Sequence, residues 1–143
     1  MEYVPAFEMR DGIAVLRIRG RSSFELAVQR VAAGIAHALA QGHDCLLVDG
    51  RDVAGFNPPS IPARHEMVRY WAAAAQGRVR VAVVIGGAFI DAEKFAVLAA
   101  ANFGLVANVF ETMTEASDWL LGQRAETDAR HSVNFEPGQL WRP

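Results

Sequence analysis

The sequence predicts one α/β domain built on a mostly parallel sheet, and three observations carry that prediction. Short apolar, β-branched runs alternate with stretches whose apolar residues recur every three or four positions, as strands joined by helical crossovers do. The segment "VRVAVVIGG", Val79 to Gly87, is apolar on both of its faces, the pattern of a strand enclosed between helical layers. Near the start, Asp11-Gly12 separates two further runs, and that dipeptide suits the left-handed backbone of a tight antiparallel hairpin.

The elements follow in order. Residues 3–10 and 13–19 form the hairpin strands. In the second, Ala14, Leu16 and Ile18 share one face while Arg17 and Arg19 point the other way, which predicts a strand covered on one side. Ser22-x-x-Glu25 reads as a capping box, in which each side chain satisfies a backbone N–H at a helix start. Phe24, Val28, Val31, Ile35 and Leu39 then make a helical stripe that Gly42 stops. A short apolar strand, "CLLVD", runs from Cys45 to Asp49. Met67, Tyr70, Trp71 and Ala74 mark a second helix ended by Gly77, and the Val79 strand follows. Asp91 caps a third helix carrying Phe95, Leu98 and Ala99, which stops near Gly104. "LVANVF", Leu105 to Phe110, is the last strand. Thr112 or Thr114 opens a fourth helix with Ala116, Trp119 and Leu120 on one face, ending near Gly122. The expected order is ββαβαβαβα, a domain over residues 1–122 with a tail over 123–143. The tail's Phe135, Leu140 and Trp141 carry too much apolar surface for a solvated end, so they should dock on this domain or on a neighbouring subunit.

Composition narrows the class. The chain has 143 residues, 52% hydrophobic and 21% charged, with a formal net charge of −2. That balance fits one globular domain and gives no general attraction to nucleic acid. No apolar run reaches the roughly 20 residues of a membrane span. The N-terminal "MEYVPAFEMRDG" lacks a basic region followed by an apolar one, and Cys45 is the single cysteine. Both features lead to the expectation of a cytoplasmic protein.

The junction "RDVAGFNPPSIPARHE", Arg51 to Glu66, holds three prolines, a serine and an Arg-His pair. Pro62 fits the first helical position, which would make Ile61 the cap and leave the Ser60 hydroxyl just outside the helix. An anion there would meet the positive end of the helix, with Arg64 and His65 one turn away. The plainer reading is a stiff connector whose serine serves structure. Asp49, Arg51 and Asp52 stand where the third strand should end, the edge at which open parallel sheets bind ligands. Two acids there suit a hydrolase, against the plainer reading of solvated strand-end groups. Gly86-Gly87 has the position of a phosphate loop but lacks the Lys-Ser/Thr pair, so it reads as a tight turn. His37, His43, His65 and His131 are scattered, and no metal or cofactor is expected. Cys45 reads as a small core residue. Arg17, Arg19 and Arg21 form a basic stripe that either guards an exposed edge or meets an acidic partner.

"CLLVDGRDV", "RVRVAVVIG" and "FGLVANVFETMTEASDWL", with its closing Glu-Ala-x-x-Trp-Leu, resemble the STAS-like family, whose fold is that of bacterial anti-sigma-factor antagonists. The likeness spans about 120 residues. In the antagonists a serine in an Asp-Ser pair, at the start of the helix after the third strand, is phosphorylated by a partner kinase. Here Asn57-Pro58-Pro59-Ser60 stands at that place, so only Ser60 can take the serine's role, without the preceding Asp. The resemblance implies a non-catalytic regulatory module that binds a protein partner or a small apolar or anionic ligand. Its expected surface is Asp52, Asn57, Ser60, Arg64 and Gly86, with Ser60 as the modified or ligand-bonding hydroxyl and Arg64 as the anion partner. The alternatives are a small hydrolase using Asp49 and Asp52, and a homodimeric structural module with Trp141 buried across a two-fold axis.

Overall fold

The computed structural model describes residues 5–86 and 100–134, with side chains over 5–86 and 100–125. The elements are β1 (Phe7–Arg10), β2 (Ile13–Arg21), α1 (Phe24–Ala40), β3 (Cys45–Ala54), α2 (Ile61–Ala75), β4 (Arg80–Val84), β5 (Ala107–Phe110) and α3 (Met113–Asn134). The helix expected at Asp91 lies outside the described residues apart from its end at 100–102, beyond which Gly104 is left-handed at φ 78°. Phe135, Leu140 and Trp141 lie outside them as well.

The strands form a five-stranded sheet in the order β1-β2-β3-β4-β5. β1 and β2 are antiparallel, and each later pair is parallel. Asp11 and Gly12 turn the hairpin with φ of 52° and 79°, the backbone for which that dipeptide is suited. β4 lies between β3 and β5, both running its way, and Val81, Ala82 and Val84 have no exposed surface. The expectation for the Val79 segment is met.

Both faces of the sheet are covered. Crossovers that advance one strand at a time in the same direction leave their helices on one side. α1 and α2 accordingly pack on Ala14, Leu16, Ile18, Leu46, Val48 and Val81. The last helix returns across the other face, where Met113, Ala116 and Leu120 meet Ile13, Val15, Cys45, Leu47, Ala82 and Val84. β2 is therefore not the one-sided strand that its arginines suggested. Its first half is buried on both faces, and alternation sets in only where α3 no longer covers it.

Other departures are local. Ser23, not Ser22, caps α1: its hydroxyl accepts from Leu26 N at 3.1 Å. Ser22 is still tied to the sheet, its N–H donating to Ala54 O at 2.8 Å, and a residue held there cannot also start the helix. α1 ends as expected, with Gly42 left-handed at φ 81° and His43 N reaching back to Ala38 O at 2.9 Å. α2 turns left-handed one residue before Gly77, at Gln76. Thr112 opens α3, accepting from Glu115 N at 3.2 Å and donating to Glu115 Oε1 at 3.0 Å. α3 does not stop at Gly122; it runs on to Asn134. A mid-helix glycine costs only about 1 kcal/mol, and Arg124 beyond it is anchored to Asp44 at 2.8 Å.

Candidate functional site

β3 is twice the length that "CLLVD" suggested and carries the polar segment Gly50–Ala54 as strand. Its pairing with β2 slips between Asp49 and Asp52: Arg17 pairs with Asp49, but Arg19 pairs with Asp52. The two residues Gly50 and Arg51 thus oppose the single Ile18. Such a bulge moves every later side chain to the opposite face. Val53, which strict alternation would set opposite Val48, instead packs with it on the α1/α2 side.

Gly55 ends the strand at φ 112°, and a Cβ built on it would lie 2.6 Å from Ser22 O and 3.0 Å from Ser22 N. Only glycine fits so close to backbone in this conformation. Gly55→Ala is expected to cost about 2 kcal/mol, read as a lower urea midpoint; an unchanged midpoint would mean that this junction relaxes freely. Beyond Gly55 the chain brings Phe56 against Phe24 at the start of α1, ring centroids 5.8 Å apart.

Ser60 is the cap of α2. Its hydroxyl accepts from Ala63 N at 3.3 Å, and Ile61 and Pro62 are already helical. The expectation that Ile61 would cap is overturned. The bias of a residue before proline against helical backbone is a preference. Proline at the second helical position costs no hydrogen bond, because the first turn's N–H groups lack helical partners. Asp52, Asn57 and Ser60 are exposed, and Arg64 is half-buried with its Nε out of water and without a hydrogen bond. His65 meets Phe103 edge-on at 5.6 Å. Gly86 is exposed, with nothing within 4 Å of a built Cβ; Gly87 lies outside the described residues.

Asp49 is 3% exposed and occupied. Arg51 grips it with two bonds of 2.9 Å from Nε and Nη2, and Arg17, its partner across the strands, donates at 2.6 Å. Glu8 on β1 holds the other side of Arg17 at 2.8 Å. The Arg51 hydrogen bonds, outweighing burial, hold the Asp49 carboxyl below its ordinary range. The supposed basic stripe is therefore divided: Arg17 belongs to this cluster, and Arg19 and Arg21 face solvent. Burial pushes the Cys45 thiol up, as suits a core residue. Among the described residues no cluster of His, Cys, Asp and Glu could hold a metal, and no helix is long and apolar enough to cross a membrane.

On the other side of β3, a cavity of about 200 Å³ opens between α1, α2 and the carboxyl ends of β2, β3 and β4. Phe24 and Val28 of α1, Trp71 of α2, and Val53 and Phe56 from the strand end and loop supply much of its wall. Of the expected surface residues, Gly86 alone lines it; Asp52, Asn57, Ser60 and Arg64 do not. Those four residues stand outside the cavity wall, on the polar side of the same carboxyl edge. Phe24 was read as core, and Phe56 stood unremarked inside the quoted junction. Phe56, the single phenylalanine of a proline-rich junction, was the signal available.

Sheet order, hairpin and helical layers together describe a small α/β module with one mostly parallel sheet covered on both faces. Among solved structures it is similar to the anti-sigma factor antagonist SpoIIAA in its unphosphorylated form, with a TM-score of 0.48 and 15% identity over 83% of this chain and 97% of that one. No family model matches the sequence, and no curated protein matches it.

Proposed function

We propose that the chain is a non-catalytic regulatory module that binds a protein partner at the carboxyl edge of its sheet, through Asp52, Asn57, Ser60 and Arg64 beside Gly86. The observation that carries this reading is the state of Asp49. A hydrolase built on Asp49 and Asp52 needs a carboxylate free to take a proton. The Asp49 oxygens instead accept from two guanidinium groups and favour the ionised form. Asp52, Asn57 and Ser60 are left as an exposed polar strip, suited to contact with another surface. Ser60 has its hydroxyl at the positive end of α2, where a phosphate would be stabilised by the helix and by Arg64.

Native co-purification with mass spectrometry tests the reading. A defined partner should be retained by the wild-type chain and lost with Arg64→Ala. Ser60→Ala should reduce retention and also cost about 1 kcal/mol as a lost cap. Ser60→Asp keeps the cap and adds charge, so it should alter retention with stability held. Retention that is indifferent to all three variants would refute the assignment.

A further inference from the structure

We propose that the cavity between α1, α2 and the ends of β2–β4 binds a small apolar carboxylic acid, its ring or short chain inside and its carboxylate on Arg51. The inference names a small ligand where the proposed function names a protein partner, and it does not depend on that reading.

The wall argues for an apolar occupant. On β4, Val81, Ala82 and Val84 have no exposure at all, yet Val83 between them is half-buried, and Val83 lines the cavity. Val53, Phe56 and Ile85 are likewise half-buried and line it. Among the described residues, the helical layer thus leaves apolar surface uncovered at the carboxyl ends of the strands, where a close-packed interior would fill it. Trp71, the wall's other polar group, gives its indole N–H to Val28 O at 3.0 Å and has nothing left for water.

A hydrogen-bond donor supplies the other end. Arg51 is the single charged side chain among the described lining residues, and its side chain is 44% exposed. Nε and Nη2 are taken by Asp49, and Nη1 makes no hydrogen bond among the described residues. Arg51 shares Asp49 with Arg17 and Glu8 closes on Arg17 from the far side, so these four groups balance, with exposed Asp52 next to Arg51. What Arg51 offers a ligand is the directed Nη1 donor at the rim. An Arg donor at the rim of an apolar hole orients a carboxylate there. Size limits the rest. A cavity of roughly 150 Å³ admits benzene, so about 200 Å³ suits one ring with a short side chain.

The probe is hydrocinnamate, a phenyl ring on a three-carbon acid, with hydrocinnamyl alcohol as its neutral twin. Each is titrated into the full chain and followed by two-dimensional amide NMR. Saturable shifts are expected at Val53, Phe56, Val83 and Gly86, with a Kd of about 1 mM or tighter. The acid should bind about tenfold tighter than the alcohol, and Arg51→Met should erase that margin while leaving the alcohol unaffected. Val53→Phe, which fills the hole, should abolish both. No saturable shift of the wild-type chain, or shifts confined to the outer α1/α2 groove at Tyr70, would overturn the site. Equal binding of acid and alcohol would overturn the role of Arg51.

Discussion

Trp71→Ala is expected to cost about 3–5 kcal/mol of folding free energy, enough to leave a domain of this size marginal or unfolded. Trp71 is 8% exposed and packs in the larger core with Val28, Met67 and the sheet. Its indole N–H donates to Val28 O at 3.0 Å, a direct bond between α2 and α1. Alanine removes the packing and the bond and opens the adjoining cavity further. Trp71→Phe separates the two contributions, since a ring remains while the N–H is gone. That variant should lose about 1–2 kcal/mol. Urea unfolding followed by circular dichroism reads both. A loss under 1 kcal/mol for alanine, on the scale of an ordinary surface change, would show that the two helices do not depend on this residue.

Asp49→Asn is expected to cost about 2–3 kcal/mol at neutral pH, below the usual figure for a broken buried ion pair because both arginines are partly in water. The substitution sets two guanidinium groups against each other without the carboxylate that joins them. Its pH dependence follows from the direction of the shift. The Arg51 hydrogen bonds depress the Asp49 carboxyl in the folded chain, against an unfolded value of about 3.9. The stabilisation is therefore complete above that value and is lost as pH falls through the folded one. The gap between wild type and variant should be widest near neutrality and close in strong acid. Asp44 is also lowered: burial would raise it, and Arg124, a backbone hydrogen bond and Arg80 together more than offset that, so the variant keeps part of its acid sensitivity. Urea midpoints at about pH 7 and about pH 3 check this; a gap of constant size would mean that Asp49 acts by shape and not by charge.

Much of the architecture could be read in advance because local patterns and the final packing agree. Alternation, helical stripes and Asp11-Gly12 each need only neighbouring residues to be recognised. What escaped depends on distant partners. β2 looked one-sided because its cover on the second face, Met113, Ala116 and Leu120, comes from the far end of the chain. "CLLVD" looked complete at Asp49 because the residues after it are polar. They stay in the strand because Arg19, Gly20 and Arg21 pair with them. The slip at Gly50-Arg51 has no sequence signature, yet it returns Val53 to the cavity wall. Gly122 resembled a stop because a glycine's backbone freedom is legible, whereas the Arg124–Asp44 tether is not. At the candidate site, polar residues drew attention as chemistry usually does, and the cavity went unseen because Phe24 and Phe56 meet only in three dimensions.

The spatial order of the strands repeats their order along the chain, and this bears on how the protein is made. During synthesis each emerging strand finds the previous one already offering an edge, so assembly can proceed from the ribosome outward without waiting for a distant segment. The layer formed by α1 and α2 can close early in that sequence. The opposite side, with Ile13, Val15, Cys45 and Leu47, stays bare until α3 has been translated. A nascent chain halted before Met113 would therefore hold a nearly finished sheet with one greasy side open, the state in which a chaperone is most needed.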